Sequence, residues 1–281
     1  MVASPTVGPD AAPIDDVVAV EVTIDGMLVI ADRLNLSDFP PALGVRPNIP
    51  QEDLRERVWD QVARDLTGQG VLDAYGRPHP EVAAMVDALG RADRTLEARW
   101  WRPDHGGRML RFAVCRRADR HVIAVRDDDL LVLQRIAPQV GLAGMVTAVL
   151  GDLPAADVEP LTGLAERLDD CRTPAQLAEF GIAPASARVY ADAVGNPLGW
   201  VELTAAQRNP GGTVTRTEVA AGVLDSGHGR IVSIPRRVNG ELYGSFLAGT
   251  PENLQRALDG LLGFLPAGAW FDAAGADEDP R

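Results

Sequence analysis

The stretch from Gly229 to Phe271 constrains the fold most, because it encodes a β-hairpin running directly into a capped helix. Ile231, Val232, Ile234 and Val238 flank Asn239-Gly240, a dipeptide that readily supplies the positive φ of a tight hairpin turn. Leu242, Tyr243, Phe246 and Leu247 form the return strand. Thr250 is then placed as an N-cap, with Pro251 at the first helical position and Asn253 where Glu or Gln would complete a capping box. Leu254, Leu258, Leu261, Leu262 and Leu265 recur at helical spacing, and Pro266 with Gly268 stops the helix. Such an ending lays a helix on an antiparallel sheet.

The same alternation of patterns runs upstream. Val17 to Ile24 is rich in β-branched residues and predicts a strand; Gly26 to Leu34 predicts a short helix. After a connector holding Pro40, Pro41, Pro47 and Pro50, a helix is expected from Gln51 to Leu66 with the stripe Leu54, Val58, Trp59, Val62 and Leu66. A further helix, Pro80 to Leu89, precedes strands at Thr95 to Trp101, Met109 to Arg116, His121 to Asp127 and Leu130 to Ile136. Their short spacing predicts an antiparallel meander. Gly141 to Leu150 predicts a buried helix.

From Pro160 the order begins again. Helices are expected at Leu161 to Leu168, Pro174 to Phe180 and Pro184 to Val194, and strands at Trp200 to Gln207, Thr213 to Leu224, Gly229 to Arg236 and Glu241 to Leu247. The expected fold class is α+β, a pseudo-twofold arrangement of halves spanning about 17–151 and 160–271, each a meander with flanking helices. They make one compact domain, 17–271, between a disordered N-terminus (1–16) and an acidic disordered tail (272–281). The N-terminal stretch has no basic or apolar run and does not read as a signal peptide. The longest low-polarity segment, Gly141 to Gly151, is far short of the roughly 20 residues that span a membrane.

Composition narrows the partners. A net charge of −13 sets the chain against a nucleic-acid backbone or an anionic bilayer, since like charges repel both. Cys115 and Cys171 are too few for a disulfide scaffold or zinc ribbon, and Cys115 falls in an apolar alternation expected to be core. No Gly-x-Ser-x-Gly elbow and no Gly-x-x-x-x-Gly-Lys phosphate loop occurs. His79, His105, His121 and His228 lack metal-ligand spacing, and Asp127 to Asp129 reads as a solvated turn. Ser226 and His228 share a Gly-rich loop, better explained as a hairpin than as a catalytic pair. No catalytic residue, metal site or cofactor is assigned.

Two features still invite a protein partner. The loop Arg102 to Arg108, with Asp104 and His105 at its centre and Trp100 or Trp101 at its root, offers an aromatic anchor with arginines nearby. If Val201, Leu203 and Ala205 face the core, then Trp200, Glu202, Thr204 and Arg208 form an outward platform. An ordinary hairpin with a buried Trp explains the first feature equally well.

Beyond these local patterns, whole strings carry a resemblance: Val20 to Leu34 (VEVTIDGMLVIADRL), Trp100-Trp101, Val114 to Arg117 (VCRR), Gly181 to Tyr190 (GIAPASARVY) and the block from Gly229 to Phe271. Together they resemble the EspG family, cytosolic chaperones of ESX (type VII) secretion that bind PE–PPE pairs, and most resemble the member serving the first ESX system. The resemblance implies two related α/β halves and a non-enzymatic, cytoplasmic chaperone, monomeric or weakly dimeric when free. It further implies a 1:1:1 complex in which the central sheet and C-terminal helical region grip the tip of the PPE bundle. The expected contacts are Trp101, Arg102, Asp104, His105, Arg108, Trp200, Glu202, Thr204, Arg208, Arg236 and Arg237. Alternatives left open are a small-molecule enzyme with a site assembled from distant residues, and a structural component of the secretion apparatus.

Overall fold

A computed structural model describes residues 18–103 and 106–271. Its spine is one sheet of 11 strands. In the first half these are β1 (Ala19–Thr23), β2 (Arg94–Arg102), β3 (Arg108–Arg117), β4 (Arg120–Asp127) and β5 (Leu130–Ile136). In the second they are β6 (Leu161–Leu164), β7 (Pro197–Arg208), β8 (Val214–Arg216), β9 (Ala221–Ser226), β10 (Gly229–Val238) and β11 (Glu241–Ala248). The helices are α1 (Ile24–Arg33), α2 (Glu52–Gly68), α3 (Pro80–Gly90), α4 (Gly141–Leu150), α5 (Ala165–Asp169), α6 (Pro174–Ala178), α7 (Pro184–Gly195) and α8 (Pro251–Leu262).

The spatial order is β1-β5-β4-β3-β2-β7-β9-β10-β11-β6, with β8 beside β7. Each half thus places its first strand at the outer edge and returns to the centre by hairpins, and the halves meet where β2 and β7 pair antiparallel. That order is compatible with a pseudo-twofold relation about the central pair.

Strand alternation sends successive side chains to opposite faces, and the two faces are covered differently. One carries α4 and α8 across its middle: Leu142, Met145, Val146, Leu254, Leu258 and Leu261 pack onto Leu96, Phe112, Val201, Leu203, Val223 and Val232. The opposite face carries two separate layers. Over the first half, Met27, Ile30, Val82 and Met85 of α1 and α3 pack onto Ala113, Cys115, Val122 and Leu133. Over the second half, Leu177 of α6 with Ala187 and Tyr190 of α7 packs onto Leu224 and Ile231.

Local chemistry sets the element ends. Asn239 and Gly240 both take positive φ, 51° and 88°, in the β10–β11 turn. Thr250 caps α8 by accepting from Asn253 N at 3.2 Å, while Asn253 Nδ2 turns back to Ala248 O at 2.9 Å. The predicted leucine stripe, through Leu265, is buried. Past α8 the chain passes the ends of the central strands β7 and β3, where Ala267 N donates to Gln207 Oε1 at 2.9 Å and Arg116 Nη1 to Trp270 O at 2.6 Å.

The structure corrects the sequence reading in three places. Leu161 to Leu164 is strand, and helix begins only at Ala165, because β11 supplies a ladder partner, Phe246 to Leu161. Thr213 to Leu224 is interrupted: Thr217 Oγ1 accepts from Ala205 N at 3.1 Å, separating β8 from β9. Within the α2 stripe only Leu66 is buried and Leu54 is 44% exposed, so α2 leans on α1 with one end free. The disordered N-terminus expected at 1–16 and the acidic disordered tail expected at 272–281 lie outside the described residues.

Candidate functional site

Because the helical layers on the second face are separate, the central strip of β2 and β7 is left between them. On this strip Trp101 stands opposite Trp200 and Arg99 opposite Glu202 across the antiparallel ladder. Direct ladder partners project to the same face. Trp101 is 38% and Trp200 48% exposed, and Arg99 Nη1 lies 3.7 Å from Glu202 Oε2. Val201, Leu203 and Ala205 point into the core, as the alternation predicts, while Trp100 packs partly buried against it. Glycine at 199 gives Trp100 its place: a Cβ there would sit 2.7 Å from the Trp100 ring nitrogen.

Trp200 is also one wall of a groove of about 730 Å3 between the sheet and the α5–α7 layer. Leu161, Leu168, Leu177, Tyr190, Val194, Leu224, Ile231 and Phe246 make its lining mainly apolar. Tyr190 fixes that layer to the sheet, its hydroxyl 2.9 Å from Glu159 O and 3.0 Å from Phe246 O. Burial raises the Tyr190 pKa above its ordinary value, so the phenol stays protonated as the donor. Val194 is 52% exposed at the rim, and Leu198, 49% exposed, sits at the β-bulge between Pro197 and Gly199 that precedes Trp200 on β7. The arrangement suits capture of an apolar protein surface.

The other expected contacts scatter. Arg102 is largely buried and structural, 3.4 Å from Asp127 Oδ2 with its guanidinium 5.2 Å from the Trp100 ring centre. Asp104 and His105 lie outside the described residues. Arg108 is exposed at the start of β3. Thr204 is half-buried opposite Glu97, which is itself held by Arg216 and by Ala42 N. Arg208 spends its guanidinium on the carbonyls of Ala92, Gly90 and Gly212, which ties β7 to the end of α3. Arg236 and Arg237 are exposed in another recess, between the end of β10 and α8. That recess contains Ile234, which packs toward α8, whereas the groove contains Ile231, which packs toward α6 and α7. The two sites therefore open on opposite faces of the sheet.

Sequence reasoning missed Val194, Leu198, Tyr190 and Phe246. An available signal was the large apolar Leu198 two residues before Trp200 at the start of β7.

The residues weighed for chemistry hold structural posts. Ser226 Oγ donates to Gly229 O at 3.0 Å and accepts from His228 N, while the His228 ring meets Asp192 Oδ2 at 2.8 Å. Asp192 is held below the usual carboxylate range, first by Asn196 and then by His228. Asp128 and Asp129 make the β4–β5 turn. Among the described residues no group of three or more His, Cys, Asp and Glu is arranged to hold a metal ion, and no helix is long and apolar enough to cross a membrane. Buried Cys115 has its thiol pKa pushed up by desolvation.

Known proteins give this geometry a lineage. The chain is 70% identical over 269 residues to ESX-1 secretion-associated protein EspG1 of Mycobacterium tuberculosis, covering 94% of this chain and 95% of that protein. It is 29% identical to ESX-3 secretion-associated protein EspG3 of Mycolicibacterium smegmatis, over 90% of this chain and 89% of that one. In fold it matches the Mycobacterium tuberculosis type VII secretion system chaperone EspG5, solved in complex with a PE25–PPE41 dimer. The TM-score is 0.72 at 18% identity, over 90% of this chain and 98% of that one. Residues 23–260 match the sequence profile of the EspG family, and the chain belongs to that family.

Proposed function

We propose that this protein is a chaperone of ESX-1 type VII secretion, working in the cytosol, that binds the PPE member of a PE–PPE pair and keeps the pair soluble until it reaches its secretion machinery. The carrying observation is the apolar groove beside the exposed Trp101 and Trp200, in a fold shared with a chaperone solved with a PE–PPE dimer. The tip of a helical bundle presents apolar side chains on a convex end. A groove of about 730 Å3 beside two aromatic anchors complements that shape. Trp101, Trp200 and Glu202 form the sheet side of the capture surface, with Val194 and Leu198 at its rim. Arg99 and Glu202, exposed and 3.7 Å apart, are free to exchange their mutual pairing for charges on the partner.

The role requires binding and release but no bond chemistry, so the protein is not an enzyme in this reading. A single domain, with halves at about 17–151 and 160–271, is supported by the unbroken sheet that joins them through β2 and β7. An interface of roughly 1,000–2,000 Å2 suits specific yet reversible capture.

The test is co-expression with PE–PPE pairs from several ESX systems, with complex mass measured by size-exclusion chromatography and light scattering. The expected result is a 1:1:1 complex with pairs of the first system alone. A folded chain that forms no complex with any pair would refute the proposal.

A further inference from the structure

The recess on the other face of the sheet has a different chemistry. It encloses about 460 Å3 between the end of β10 and the C-terminal part of α8, and Arg236, Arg237 and Arg256 line it. Three arginines line this one recess on a chain whose net charge is −13, so most of the surface repels an acidic partner while this recess attracts one. The arginines are weakly committed. Arg236 has no side-chain hydrogen bond or ion pair with the described residues. Arg256 reaches only Asn253 Oδ1, at 3.0 Å. Arg237 lies 5.8 Å from the centre of the Phe264 ring and 3.6 Å from Glu218, a carboxylate 83% exposed and readily displaced. Asp259 is the acidic residue in the lining, and its Oδ1 accepts from Gln255.

The backbone here discriminates between kinds of anion. Gly263 lines the recess without a side chain and leaves room there for an occupant, whereas a Cβ at Gly260 would meet Ile234 at 2.7 Å, so that glycine lets α8 approach the sheet. Phe264 N donates to Leu261 O, so the Gly260 carbonyl lacks its regular helical donor. A helix C-terminus carries partial negative charge and repels a compact dianion such as phosphate. A peptide can satisfy both kinds of group, one N–H meeting the Gly260 carbonyl while its carboxylates take the guanidiniums.

We propose that this recess docks an acidic peptide segment of a second partner, on the face opposite the apolar groove, so that the protein can hold two partners at once.

The probe is a fluorescein-labelled octapeptide of alternating Glu and Ala, titrated by anisotropy at low and physiological salt. R236E/R237E is expected to weaken binding by roughly tenfold or more, as lost and reversed charge pairs require. Gly263→Gln, which fills the recess and keeps every arginine, is expected to weaken it as well. Absence of binding at low salt would overturn the proposal, as would equal weakening by the remote reversal R55E/R57E on α2, which reports net charge alone. Displacement by inorganic phosphate at matched ionic strength would also overturn it, by making the recess a phosphate site.

Discussion

Trp200→Ala tests the capture surface, because nearly half of this indole faces solvent in the free protein. An indole side chain offers about 200–250 Å2, and 48% of Trp200 is exposed. A partner seated across it would therefore remove about 100–120 Å2 of apolar surface from water. At about 25 cal/mol per Å2 this contributes about 2.5–3 kcal/mol, or about 60–150-fold in Kd. The loss falls on affinity more than on folding, since the backbone ladders to β2 and β9 remain and only the buried half of the ring leaves the groove. The assay is calorimetric titration of a purified PE–PPE pair, well below the unfolding temperature of the variant. Trp101→Ala, at 38% exposed, should lose somewhat less. The double variant should depart from additivity because the rings are ladder partners. A folded Trp200→Ala protein whose Kd changes less than about threefold would refute the reasoning, since a central aromatic anchor contributes at least about 1 kcal/mol.

Other perturbations test the frame that holds the groove. Arg230 and Asp225 form a buried bidentate pair, 2.7 and 2.9 Å, so Asp225→Ala should cost about 3–5 kcal/mol in chemical denaturation; replacing both partners with apolar residues should cost much less. Gly229→Ala should also destabilise, by about 2 kcal/mol or more, because φ is 109° and a Cβ would meet Pro154 O at 2.5 Å. Thr250→Ala removes the α8 cap and should lower stability by about 1 kcal/mol. His121, beside Trp270 and Phe271, has its pKa lowered below the ordinary 6.5, chiefly by burial. The unfolded chain then binds the proton first, so stability falls as pH drops below about 6.5. His121→Gln should flatten that dependence in thermal unfolding followed by Trp fluorescence.

The fold was legible wherever the signal was local. Asn239-Gly240 dictates its turn, Thr250-Pro251 dictates its helix start, and the four strands from Arg94 to Ile136 announce themselves as short, closely spaced runs broken at turn residues. What failed depended on distant pairing. Leu161 to Leu164 is a strand only because β11, some 80 residues downstream, offers Tyr243 to Phe246 as ladder partners. Gly163 fits there because the Phe180 ring takes the space a Cβ would need, 2.3 Å away. The site divided along the same line. Strand alternation correctly turned Trp200 and Glu202 outward, but the groove needs Leu161, Tyr190, Leu224 and Phe246 from separate elements, and no spacing records their meeting. At Arg102 and Arg208 a sequence shows the charge and hides the carboxylate and carbonyls that hold them.

Hydrogen–deuterium exchange of the protein with and without a bound PE–PPE pair tests the central claim most directly. Slowed exchange is expected in Pro197–Arg208 and Pro184–Gly195, which border the groove, with little change in Gly141–Leu150 on the opposite face. Protection confined to the α4 and α8 face, with β7 and α7 unaltered, would contradict it.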